Sequence, residues 1–230
     1  MGYDVADYRD IHKPYGTMEQ WSIIHQINTL GSRNLDRVET PPNETGTFGG
    51  ILATMPTAFD ILPTIGGSAW TYDEATEQYY LALFLPSQPD LNWENDHVRQ
   101  AVREDIEFWL AKGVDGFRID PMNLMSKHSD LLDAPIVFPD EKYQHGDMYF
   151  ASGPRMHEYL QELRAKVFDK YDAMTVGELG FTKDVQSVVQ YVAESRHELN
   201  MVFTGDIVDM DFGKDGKYTR HDFHPIPYVP

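Results

Sequence analysis

Twice in this chain an amphipathic stretch runs into a short apolar segment that ends on an acid. Asp120 closes Gly113-Val114-Asp115-Gly116-Phe117-Arg118-Ile119, and Glu178 closes Met174-Thr175-Val176-Gly177. A chain that alternates helix and strand in this way is driven toward a parallel sheet, because parallel strands need a long crossover and a helix supplies it. A carboxylate at the end of a buried-type strand adds little stability, so its presence there twice points to chemistry.

The repeat can be followed residue by residue. Asn95 suits an N-cap, and Val98, Val102, Ile106 and Trp109/Leu110 recur at spacings of three and four, which predicts a helix over 96–112. Val114 to Ile119 then read as a buried strand, stopped by Pro121. In the second unit Pro154 stands near a helix start, Met156, Tyr159/Leu160, Leu163 and Val167 form the stripe, and Ala173 to Gly177 form the strand before Glu178. A third, fainter unit has a stripe at Val185, Val188/Val189 and Val192 and a strand from Asn200 to Thr204 that leads to Asp206. Three such units predict an α/β fold in which Asp120 and Glu178 share one edge of a parallel sheet. The expected architecture is a partial (β/α)8 (TIM) barrel, parallel strands with alternating helices, whose active face lies at the C-terminal ends of the strands.

Composition removes several functions. With 37 acidic and 19 basic residues the formal charge is −18, which opposes binding to phosphate backbones and anionic lipid. Neither nucleic acid nor membrane is an expected partner. Cysteine is absent, which excludes disulfides and thiolate chemistry and suits a cytoplasmic location. There is no Gly-x-Ser-x-Gly elbow, no phosphate-cradling loop and no His-Glu-x-x-His. The acidic run Asp206, Asp209, Asp211, Asp215 lacks the fifth-position acid of a calcium loop and has Arg220 at the twelfth, so it reads as a solvated loop. No metal and no cofactor are assigned.

Gly116-Phe117-Arg118-Ile119-Asp120 and Thr175-Val176-Gly177-Glu178 resemble the nucleophile and acid/base motifs of glycoside hydrolases of the α-amylase clan. Gly2-Tyr3-Asp4 with Asp7-Tyr8-Arg9, Gly67-Ser68-Ala69-Trp70-Thr71, Gln88-Pro89-Asp90-Leu91-Asn92-Trp93-Glu94-Asn95 and Gly153-Pro154-Arg155 agree with its α-glucosidase branch of maltases, isomaltases and oligo-1,6-glucosidases. The resemblance implies a retaining mechanism with Asp120 as nucleophile and Glu178 as acid/base, acting on an oligosaccharide or disaccharide. It also implies that Tyr3 is a stacking platform under the sugar and Phe84 an aromatic wall of the pocket. Arg118, two residues before Asp120 on the same strand face, is placed to hydrogen-bond the nucleophile and keep it ionised, whereas Glu178 needs burial and a negative neighbour to hold its proton. Two other readings stay open: a non-catalytic barrel relative that binds a sugar or a partner, and a transglycosylase of the same clan.

Measured against that resemblance, the chain departs in three places. The family's first barrel strand would precede Met1, residues 21–65 hold no counterpart of its Asn-His motif, and Pro230 stands before its Asn-His-Asp motif. An incomplete catalytic barrel is therefore expected over 1–20 and 67–215, with an expanded loop region at 121–153, an irregular segment at 21–66 and a tail at 216–230. A complete barrel takes about 250 residues. Weak or absent activity is expected of such a fragment. Pro121 follows the nucleophile where the resembling enzymes carry the residue that helps choose between α-1,4 and α-1,6 bonds, and it matches neither choice.

Overall fold

The computed structural model describes residues 7–21, 49–50, 68–128, 133–140, 142–182, 184–205, 212–213 and 216–220. Its organising element is a parallel sheet of three strands in chain order, β4 (Gly116–Ile119), β5 (Met174–Leu179) and β6 (Met201–Thr204). Each is preceded by a helix: α1 (Asp96–Ala111), α3 (Met156–Lys166) and α4 (Val185–Val192). The alternating order expected for part of a (β/α)8 barrel is thus present.

The helices start where the sequence places their caps. Asn95 accepts a hydrogen bond from the His97 N–H at 2.9 Å, and Asp184 accepts one from the Ser187 N–H at 2.8 Å, each satisfying a backbone donor that the first turn leaves unpaired. Along α1 the predicted stripe of Val98, Val102, Ile106, Trp109 and Leu110 is buried. From Val102 onward the stripe shares one continuous core with Phe117 and Ile119 of β4, Leu160 and Leu163 of α3, and Phe168 and Leu179.

Alternation along the strands sorts the two faces of the sheet. Phe117 and Ile119 of β4, and Thr175, Gly177 and Leu179 of β5, turn to the helical layer and are buried. Arg118, Val176 and Glu178 occupy the opposite face, which in a closed barrel is the interior. Register places Met201 and Phe203 of β6 beside Val176 and Glu178 on that face, and both are roughly two-fifths exposed.

Close approach fixes the β4–β5 pairing. A Cβ on Gly116 would stand 2.1 Å from the Met174 carbonyl oxygen, so only glycine lets the two backbones meet at the start of the ladder. Thr175, fully buried, ties β5 to the residue before β6: Asn200 Oδ1 accepts from its N–H at 2.9 Å and from its hydroxyl at 2.8 Å.

Beside the parallel sheet lies an antiparallel one in which β3 (Gln78–Leu81) pairs with β2 (Trp70–Asp73) and with β1 (Gly49–Gly50). Its inner residues Trp70 and Leu81, with Leu83 just beyond β3, share a second core with Leu124 and Phe150 of the loop after β4, where the short helix α2 (Asp147–Phe150) sits. A buried ion pair, Lys127 Nζ to Asp90 Oδ1 at 2.6 Å, fastens that loop to the segment after β3. The remaining hairpin, β7 (Phe212–Gly213) and β8 (Gly216–Arg220), includes five residues of the stretch expected to be a tail. Of the segment 21–66, expected to be irregular, only Trp21, which is helical, and the strand residues Gly49 and Gly50 are described; the rest lies outside the described residues, as do Tyr3, Asp206, Asp209, Asp211 and Asp215. No helix among the described residues is long and apolar enough to cross a membrane.

Candidate active site

Asp120 follows β4 directly, at the point where Pro121, with no N–H to donate, ends the ladder. Glu178 differs slightly from the sequence expectation. It does not cap β5 but lies inside it, because β6 continues the pairing and sets Glu178 opposite Phe203 and Leu179 opposite Thr204. Between β4 and β5 the last paired residues are Ile119 and Gly177, so one further step brings Asp120 and Glu178 level at the same end of the sheet.

Arg118 joins them. Its Nη1 forms an ion pair with Asp120 Oδ1 at 2.7 Å and its Nη2 donates to Glu178 Oε2, so one planar guanidinium holds a carboxylate on each prong. Sequence reasoning gave Arg118 to Asp120 alone, since the register that brings Glu178 within reach is a long-range property. The span of one guanidinium and its two short contacts keeps the nearer oxygens within about 8 Å of each other. The guanidinium carbon of Arg118 lies 5.5 Å from the Phe203 ring centroid, a cation–π contact that supports it from β6.

The two acids are unequally covered. The Asp120 side chain is 12 % exposed and that of Glu178 34 %, so Glu178 is the one that meets solvent more readily. Phe84 is partly buried and packs against the second core.

Asn123 was missed from sequence. In a turn opened by Pro121 an Asn reads as a turn former, yet here it is fully buried. Its Nδ2 donates to the Gly180 carbonyl at 2.7 Å and its Oδ1 accepts the Gly180 N–H at 3.3 Å. Ser152 and Thr182 complete the cluster, and Tyr191 donates to Ser152 Oγ at 2.8 Å; burial pushes the Tyr191 phenol up, which preserves it as a donor.

A sequence model of the alpha amylase catalytic domain matches residues 45–226. The chain belongs to that family. An oligo-1,6-glucosidase of Parageobacillus thermoglucosidasius is 39% identical over 236 residues, covering 94% of this chain and 42% of the relative. An alpha-glucosidase of Candida albicans is 36% identical, with 97% and 43% covered. Among solved structures, the isomaltulose synthase SmuA of Protaminobacter rubrum superposes with a TM-score of 0.81 at 30% identity, over 96% of this chain and 42% of that one. The chain spans about two-fifths of the length of the curated relatives it matches. Its (β/α)8 character, read first from the repeated helix and strand order, follows from family membership together with the three parallel strands.

Proposed function

We propose that Asp120 is the nucleophile and Glu178 the acid/base of a retaining α-glucosidase that releases terminal α-linked glucose from maltose- and isomaltose-type oligosaccharides. The observation that supports this most strongly is the shared Arg118 fork, which holds two carboxylates from neighbouring parallel strands at one end of the sheet. Retention needs such a pair at about 5–5.5 Å.

The Asp120 carboxylate attacks the anomeric carbon as the glycosidic bond breaks, and the leaving oxygen takes the proton of Glu178. A glucosyl ester forms on Asp120. Glu178, now a carboxylate, removes a proton from water; that water attacks the same carbon, frees glucose with its α-configuration and restores Asp120. The shielded acid suits the covalent role, and the more exposed one suits an exchange of protons with leaving group and water. Arg118 offsets the repulsion that two carboxylates on adjacent strands would otherwise feel. Phe84 as an aromatic wall and Tyr3 as a platform remain part of this proposal on the resemblance of their motifs.

With the barrel residues placed at 1–20 and 67–215 and the chain spanning about two-fifths of its relatives' length, full turnover is assigned to a complete catalytic domain, and this chain alone is expected to be weakly active or inactive. Transfer to a sugar acceptor is the second reading, favoured by the likeness to an isomaltulose synthase, because it uses the same ester on Asp120. A non-catalytic role would not need both acids.

Single-event trapping tests the assignment even in a poor catalyst. Incubated with a fluorinated α-glucosyl fluoride, the chain should gain one fluoroglucosyl mass, and peptide mapping should place it on Asp120 as fluoride leaves with the electron pair of the C–F bond. Label on another residue, or none, refutes the role of Asp120.

A further inference from the structure

We infer that Asn123 is a positioning residue that sets the spacing between Asp120 and Glu178 by clamping the turn after β4 to the backbone after β5. The inference rests on the glucosidase reading above. Asn123 lies three residues beyond Asp120, and Gly180 two beyond Glu178. The side-chain amide of Asn123 meets both polar groups of Gly180, its carbonyl at 2.7 Å and its N–H at 3.3 Å, as a paired strand residue would. The regular ladder stops at Ile119 and Gly177. The two acids therefore sit in an interval bounded below by the last β4–β5 backbone pair and above by this clamp, and between those bounds no ladder bond joins the two strands, although β6 still pairs β5 on its other side.

Surrounding contacts argue that the clamp is held in place. Asn123 has no exposed surface, its backbone carbonyl accepts the Ser152 N–H at 2.8 Å, and Ser152 is held in turn by Tyr191 of α4. Ser152 (φ 51°) and Phe181 (φ 56°) both adopt the left-handed region that non-glycine residues avoid, and they flank the clamp on its two sides. Such backbones persist where neighbouring contacts over-determine them. The Thr182 hydroxyl also donates to the Gly180 carbonyl at 3.2 Å, but it stands on the same side as Gly180, after β5, so it does not replace the tie to the turn after β4 once the Asn123 amide is gone.

The Asn123→Leu chain, similar in volume but unable to bridge, should form the trapped ester on Asp120 roughly 100-fold more slowly, the penalty of about an ångström of misplacement, with little change in the probe concentration that gives half-maximal rate. Its Gly180 amide should exchange with deuterium faster than in the unaltered chain, where it should exchange as slowly as the amides of β5. Leu163→Ala, a core change in α3, serves as the control: destabilised to a similar extent, it should label at the unaltered rate per folded molecule. If Asn123→Leu fails to fold, the smaller change Asn123→Ser removes the same two-point contact. Equal labelling of unaltered and Asn123 variants, or a rapidly exchanging Gly180 amide in the unaltered chain, overturns the positioning role while leaving Asp120 as nucleophile. No label in the unaltered chain overturns the glucosidase reading and the positioning role with it.

Discussion

In a chain completed with the segments that its relatives carry beyond it, Asp120→Asn should lower hydrolysis of an aryl α-glucoside by on the order of 10⁴-fold or more, as removal of a covalent nucleophile does elsewhere. The amide matches the carboxylate in size, so packing at the end of β4 is kept. It has no charge to donate to the anomeric carbon, and no ester can form. Glu178→Gln should behave differently. Without a proton to give, it loses most on natural sugars, whose leaving oxygen is basic, and least on aryl glucosides whose leaving group departs unaided. A progress curve for each substrate, followed by colour for the aryl compound and by released glucose for maltose, separates the two roles. Equal losses on both substrates for Glu178→Gln would remove its assignment as the acid.

The 230-residue chain by itself should hydrolyse the same aryl glucoside at least about 100-fold more slowly than the completed chain, the effect typical of losing even one pre-organised stabilising donor. On the proposed mechanism Asp120, Arg118 and Glu178 supply the covalent route. Holding and distorting the sugar falls to partners carried on other strands of a barrel, and the chain covers about two-fifths of its relatives. Comparable rates for the two chains, both abolished by Asp120→Asn, would show that the three strands suffice.

Local regularity was what the sequence disclosed well. Asn95 and the stripe from Val98 to Leu110 located α1 because an N-cap and a 3.6-residue period are decided within the segment itself. Glu178 was placed one step past its strand since Gly177-Glu178 looks like an end. Only the partner β6 shows that the alternation of buried Thr175, Gly177 and Leu179 continues. The double grip of Arg118 was hidden for a related reason: parallel register is set by contacts distant in sequence, here the approach of Gly116 to Met174. Asn123 carried no signal beyond turn propensity, as its partner is a main-chain amide that any residue at 180 would offer.

The separation of the Asp120 and Glu178 carboxyl groups in a crystal structure of this chain tests the account most directly, because it needs no turnover. A retaining pair predicts about 5–5.5 Å with Arg118 between them, whereas a separation beyond about 9.5 Å, past the range even of inverting enzymes, would contradict it.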